Sequence, residues 1–364
     1  MPNASFEEVQ RQVRWHYQWL VVNDFLVKIC GLDMVHSILP HLKSGRSIFE
    51  DKPKLSFYKS QQQAFMPIEF AAAAYRFGHS MVRPIYRLNT LLNGGIDPNI
   101  ATKDEASRGV AGRFFIFAGV QQRGLNGFDA FPQEWAIDWT LYFNINGSGE
   151  NVGKHRAQPS YKIDPSLVNP LGFLPEFSKS ASIFSGELTI DRLQANKDPK
   201  HAPANLALRN LLRGVSMALP SGQVIARAMG LTPIEDKNLR ICKAIIKDWN
   251  DAGKIDAKDI SKTRNMEHFA NGAFKDSAPL WYYVLAEALF EWSQRAKKLG
   301  SKGNEEPVAL GAVGGRIVAE TLIGLLLDDS HSYLRQDSNW HPKQADHLKA
   351  PYDVGALIKF TLSL

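Results

Sequence analysis

A chain of 364 residues, 44% hydrophobic and 22% charged, has globular composition and enough apolar side chains to bury a sizeable core, which excludes a disordered protein. Formal net charge is +6, yet the 43 Lys and Arg residues are scattered without a long block of like charge, so the mild cationic character favours anionic small ligands over a nucleic-acid footprint. The two cysteines, Cys30 and Cys242, sit inside apolar helical patterns and read as buried thiols; with no Cys-x-x-Cys or Cys/His metal spacing, zinc sites and c-type haem attachment lack support.

Ser5 followed by Glu8 forms a capping-box pattern, and Val9, Val13, Tyr17, Leu20 and Val21 then recur at helical spacing, predicting a helix to about residue 30. A second helix is expected over 33–43 and a third over 67–83, opening on Pro67. Helical segments are also expected over 104–122 and 135–143. Residues 144–203, rich in Gly, Asn, Pro, Ser and Lys, read as an irregular insertion.

Order resumes over 204–218, with Ala204, Ala207, Leu208, Leu211, Leu212, Val215 and Ala218 as the apolar positions and Pro220 as the stop. Ser221 is placed to cap a short helix to Met229. The run Thr232-Pro-Ile-Glu235 is a second capping box, predicting a helix near 236–253, with further helices over 278–298 and 310–327. The apolar run at 313–327 is interrupted by Arg316 and Glu320 and is too short to span a bilayer. The first twenty residues carry early acidic side chains and no signal-peptide core. With alternating strand patterns almost absent and no internal repeat, the expectation is an all-α chain forming a single domain over 1–364.

Two constellations interrupt this apolar periodicity. Arg76, His79 and Arg83 fall three and four residues apart, on one face of the predicted 67–83 helix, and two guanidiniums beside an imidazole call for an anionic group between them. Asn210 and Arg213 likewise share a face of the 204–218 helix. An asparagine inside a helix competes with the backbone for hydrogen bonds, so a placed partner is the simplest reason for it. Taken singly, His79 reads as a satisfied core histidine and Asn210 as a surface position.

Taken together, these segments resemble a known family. YRFGHSMVRPIYRLN at 75–89 resembles the proximal-histidine helix of the animal-type haem peroxidases, the peroxidase–cyclooxygenase superfamily, and especially its bacterial members. NLALRNLLRGVSMALPSGQ at 205–223 is similar to the family segment whose Asn precedes a Leu-Pro by ten residues; here Asn210 stands ten before Pro220. PLWYYVLAEA at 279–288 and LGAVGGRIVAETLIGLLLDDSHSYL at 310–334 resemble the family's C-terminal helices, so the resemblance covers most of 1–340.

The resemblance implies a multi-helical haem peroxidase fold with long irregular loops and a non-covalent b-type haem. His79 would be the axial iron ligand, with its second nitrogen donating to the Asn210 side-chain oxygen. Arg76 would pair with a haem propionate, Arg213 would lie near the haem periphery, and Arg83 reads as a solvated face residue. The implied activity is reduction of hydrogen peroxide at the expense of a reducing donor, as in responses to oxidative stress. A fatty-acid dioxygenase would carry Tyr three residues before the ligand; here that position is Arg76 and Tyr75 falls four before, which favours peroxidase.

The first helix resembles the family helix that follows the distal arginine, so the distal His, distal Arg, calcium loop and ester-forming carboxylates find no counterpart, and a separate N-terminal distal segment becomes an expected partner. His16, His36 and His41, the histidines ahead of His79, are assigned structural or surface roles, His16 packing within WHYQW. The reading from another class is a non-catalytic haem-binding or scaffold protein that keeps only the proximal helices.

Overall fold

The computed structural model describes residues 4–60, 63–89, 113–115, 136–143, 145, 157–172, 174, 203–252, 264–343 and 352–362. Within these the chain is mostly helical, with one two-stranded ribbon, and it divides into two units. The first comprises Met1–Ser80, Lys162–Ser166 and Asn210–Asp353; the second comprises Met81–Tyr161, Leu167–Arg209 and Val354–Leu364.

The first unit opens where the capping pattern places it. Ser5 Oγ accepts the Glu8 N–H at 3.2 Å and starts α1 (Phe6–Leu20), which continues through a π-helical turn (Val21–Phe25) into α2 (Leu26–Cys30). The expected 33–43 helix is split into α3 (Leu32–Ile38) and α4 (His41–Ser44). Pro40 explains the split: it has no N–H to donate and drives Leu39 out of the helical region, to φ −118° and ψ 74°.

The expected 67–83 helix is likewise three pieces: α5 (Ile68–Ala72), a 3₁₀ turn (Ala74–Phe77) and α6 (Gly78–Met81), with Ala73 at φ −131° and ψ −73° between the first two. The irregular backbone is stitched by side chains, Arg76 Nε donating to the Ala71 carbonyl at 3.0 Å and Trp281 Nε1 to the Arg76 carbonyl at 3.4 Å.

Further along, α7 (Leu206–Ser216) begins on residues of the second unit and ends in the first, and α8 (Gly222–Ala228) is capped by Ser221 accepting the Val224 N–H. The capping box at 232–235 starts no helix. The Ile234 N–H is taken by the Tyr283 hydroxyl at 3.0 Å, only a 3₁₀ turn (Asp236–Asn238) follows, and the helix expected near 236–253 reduces to α9 (Ile246–Ala252). Tertiary hydrogen bonding here outbids local propensity.

The core of this unit is α10 (Leu280–Leu299) and α11 (Ala312–Asp328), close to the expected spans and buried along most of their length. Two carboxylates of α10 cap α11 from outside: Glu287 accepts the Val313 and Gly314 N–H groups at 3.1 Å, and Glu291 accepts that of Ala312 at 3.1 Å. A Cβ on Gly311 would lie 2.3 Å from the Glu287 side chain, so this approach requires glycine. On α11, buried Glu320 accepts the N–H groups of Ser56, Phe57 and Tyr58 and fastens that extended segment. Cys30 and Cys242 are buried free thiols, as expected.

In the second unit, β1 (Ile85–Arg87) pairs antiparallel with β2 (Arg113–Phe115), Tyr86 opposite Phe114. The described part of the expected 104–122 helix is therefore a strand; its other residues lie outside those described. Of the expected 135–143 helix only a 3₁₀ turn (Trp139–Leu141) forms, capped by Asp138, and residue 135 lies outside the description. The described residues of 144–203 contain no element beyond a 3₁₀ turn (Asn169–Gly172), and most of that span lies outside them. Gln158 reads both backbone groups of Arg87, and α12 (Val354–Leu362) closes the chain's described part.

Candidate functional site

On α7, burial inverts what the sequence pattern suggests. Asn210 is the one buried residue of this helix, 1% exposed, whereas Leu208, Leu212 and Val215 are exposed. A polar amide is held inside while aliphatic side chains face out, an arrangement that requires the amide to be satisfied by specific partners.

Those partners come from the broken helix at 68–81. Arg76 NH1 donates to Asn210 Oδ1 at 3.2 Å, and Asn210 Nδ2 lies 2.9 Å from His79 Nδ1. The guanidinium has donors only, so it fixes the amide with its oxygen toward Arg76 and its NH₂ toward the ring. His79 Nδ1 therefore accepts, and the ring proton of the neutral imidazole resides on Nε2. This is the reverse of the expected sense, in which the ring donates to the Asn210 oxygen. Partial burial, and secondly the Arg76 charge, depress the His79 pKa and favour the neutral ring.

Three of the sequence-predicted residues, Arg76, His79 and Asn210, are thus in direct hydrogen-bond contact within the first unit. Arg213 is exposed on α7. Arg83 does not share their face, because the helix ends at Met81, short of Pro84, and Arg83 belongs to the second unit. Its guanidinium donates to the Pro159 carbonyl at 2.7 Å and lies 5.5 Å from the Tyr161 ring centroid, so this half-buried side chain is tethered.

Sequence reasoning missed Trp281 as a supporting residue: its indole N–H holds the Arg76 carbonyl, and the only signal was its position in the PLWYY run opening α10.

Two of the three upstream histidines, His16 and His41, have packing roles. His16 Nδ1 donates to the Gln12 carbonyl at 2.8 Å and its ring meets Trp340 edge-on at 5.0 Å, so its aromatic partner comes from far along the chain and not from WHYQW alone. His36 is half-buried. His41 is 3% exposed with neither ring nitrogen hydrogen-bonded among the described residues, and burial depresses its pKa against the opposing charge of Asp51.

Among the described residues no group of three or more His, Cys, Asp or Glu is placed to hold a metal ion. No described helix is long and apolar enough to cross a membrane. No known protein family matches the chain, and no curated protein matches it.

Proposed function

We propose that this protein is a haem-binding oxidoreductase of the peroxidase type, with His79 as the axial iron ligand, hydrogen peroxide as oxidant and a small reducing donor as co-substrate. The observation that carries the reading is the 2.9 Å contact between His79 Nδ1 and the buried Asn210 amide. It engages one ring nitrogen, fixes the plane of the ring, and leaves Nε2 as the nitrogen that would meet a metal once its proton is given up.

The donor set fits haem in kind: one imidazole, and cationic side chains for the cofactor's carboxylates. Arg76 adjoins the ring, and exposed Arg213 lies one turn from Asn210, at what would be the periphery. When bound, haem supplies the iron at which peroxide is reduced and the donor oxidised. The chain's own contribution is to bind, to orient the ring and to set its basicity through Asn210, a neutral amide that leaves the imidazole less electron-rich than a carboxylate partner would.

A second reading, a haem-binding protein without turnover, is favoured by the commitments of the upstream histidines. His16 is tied to Gln12 and Trp340 and His41 is sealed in the core, so neither is placed to move a peroxide proton. General acid–base help of that kind is worth roughly 10²–10⁴-fold.

Haemin titration followed by a peroxide assay separates the readings. A Soret band with turnover above that of free haemin supports the peroxidase; a band without such turnover supports the haem binder; absence of a band overturns both.

A further inference from the structure

The Asn210 carboxamide has one oxygen and two neighbours with a use for it. Arg76 NH1 now holds it at 3.2 Å, and the NH₂ group consequently faces His79 Nδ1 at 2.9 Å. At 1% exposure the amide has little water to replace either partner, so both of its ends are committed. Because the amide donates to Nδ1, the neutral ring carries its proton on Nε2, and a protonated ring nitrogen has no lone pair to offer a metal. Ligation through Nε2 needs the proton on Nδ1, and Nδ1–H needs an acceptor where the Asn210 NH₂ now stands.

We propose that Arg76 is a positioning residue that holds His79 in its non-ligating tautomer through Asn210, and that ligation at Nε2 turns the carboxamide over, passing its oxygen from Arg76 to His79. The proposal rests on the reading of His79 as a metal ligand. The proton balance is simple: Nε2 releases one proton to solvent and Nδ1 takes one up, with no redox change.

The test uses ligand-free protein labelled with ¹⁵N-histidine, read by long-range ¹H–¹⁵N correlation at about pH 8, where ordinary imidazoles are neutral. The His79 signals are assigned by their absence from His79→Gln. Wild type should show the Nε2–H pattern. Arg76→Leu should move the population toward Nδ1–H, Arg76→Lys should retain Nε2–H, and Asn210→Asp, with an oxygen for each neighbour, should give Nδ1–H with Arg76 intact. An Nδ1–H pattern in wild type, or Nε2–H persisting in either Arg76→Leu or Asn210→Asp, overturns the proposal; should Arg76→Leu not fold, wild type and Asn210→Asp decide. Every readout is on ligand-free protein, so a failure of haemin to bind would sink the haem reading while leaving the tautomer result to stand or fall by itself.

Discussion

His41 shows how much a single imidazole can matter away from the candidate site. It is buried with both ring nitrogens unpartnered among the described residues, and burial holds its folded-state pKa below the ordinary histidine value. His79 is depressed in the same direction, by partial burial first and the Arg76 charge second. The unfolded chain takes up protons near pH 6.5 while these folded rings stay neutral, so their contribution to stability is complete above about pH 6.5 and is lost as pH falls toward their folded pKa values. In thermal melts from about pH 7.5 down to about pH 5 the histidine contribution to Tm should therefore fall, which a comparison of wild type with a variant that cannot titrate isolates. His41→Leu, which cannot titrate, should shrink that fall, and an undiminished fall in this variant would remove His41 from the explanation. At Asn210, replacement by Leu should weaken haemin binding roughly 10–100-fold, as loss of a ligand-orienting partner typically does, measured by equilibrium titration.

At the scale of elements, stability concentrates where helix ends borrow partners from elsewhere. The first turn of α11 depends on Glu287 and Glu291 of α10. Glu287→Ala would leave two N–H groups orphaned in the core and should cost about 2–4 kcal/mol, whereas Glu291→Ala, which orphans one, should cost about half as much, both read from denaturant melts. Burial pushes the Glu287 carboxyl up to about 8 against the pull of its N–H donors. Its contribution is thus largest below about pH 4.5 and declines as pH rises through 8, opposite in sign to that of the histidines. The end of α7 offers the converse test. Ala218 sits at φ +51° while the Leu219 N–H reaches the Gly214 carbonyl at 2.9 Å, a left-handed cap built on a residue with a Cβ. Ala218→Gly should raise stability by about 1 kcal/mol, and a lower Tm would contradict the strain argument.

For the whole molecule, the long buried helices α10 and α11 were legible in the sequence because continuous apolar runs have few ways to be satisfied. The broken ones were legible only in part. Pro40 could be read as a breaker, but the break at Ala73 falls in a run of alanines with no local breaker, and the Ile234 N–H at the failed helix start is taken by Tyr283, far along the chain. The pairing of His79 with Asn210 was legible from the resemblance; the role of Arg76 was not, because hydrogen-bond sense depends on which donor reaches the shared oxygen. The first helix carries the sharpest lesson. Val9, Val13 and Tyr17 give it its apolar period, yet they are exposed with Phe6, while polar Gln18 is buried between Asp329 and the Tyr333 N–H. A stripe of this kind in water favours association. Val13→Glu should reduce light scattering of the purified protein at high concentration with little change in Tm; unchanged scattering would mean that another surface drives association.

The central claim, that His79 ligates haem iron, is tested most directly by His79→Gly titrated with haemin in the absence and presence of free imidazole. The account predicts that wild type binds one haemin, that His79→Gly binds it at least about 10-fold more weakly, and that added imidazole restores the wild-type Soret spectrum by standing in for the missing side chain. Haemin binding to His79→Gly with wild-type affinity and spectrum without imidazole would contradict it.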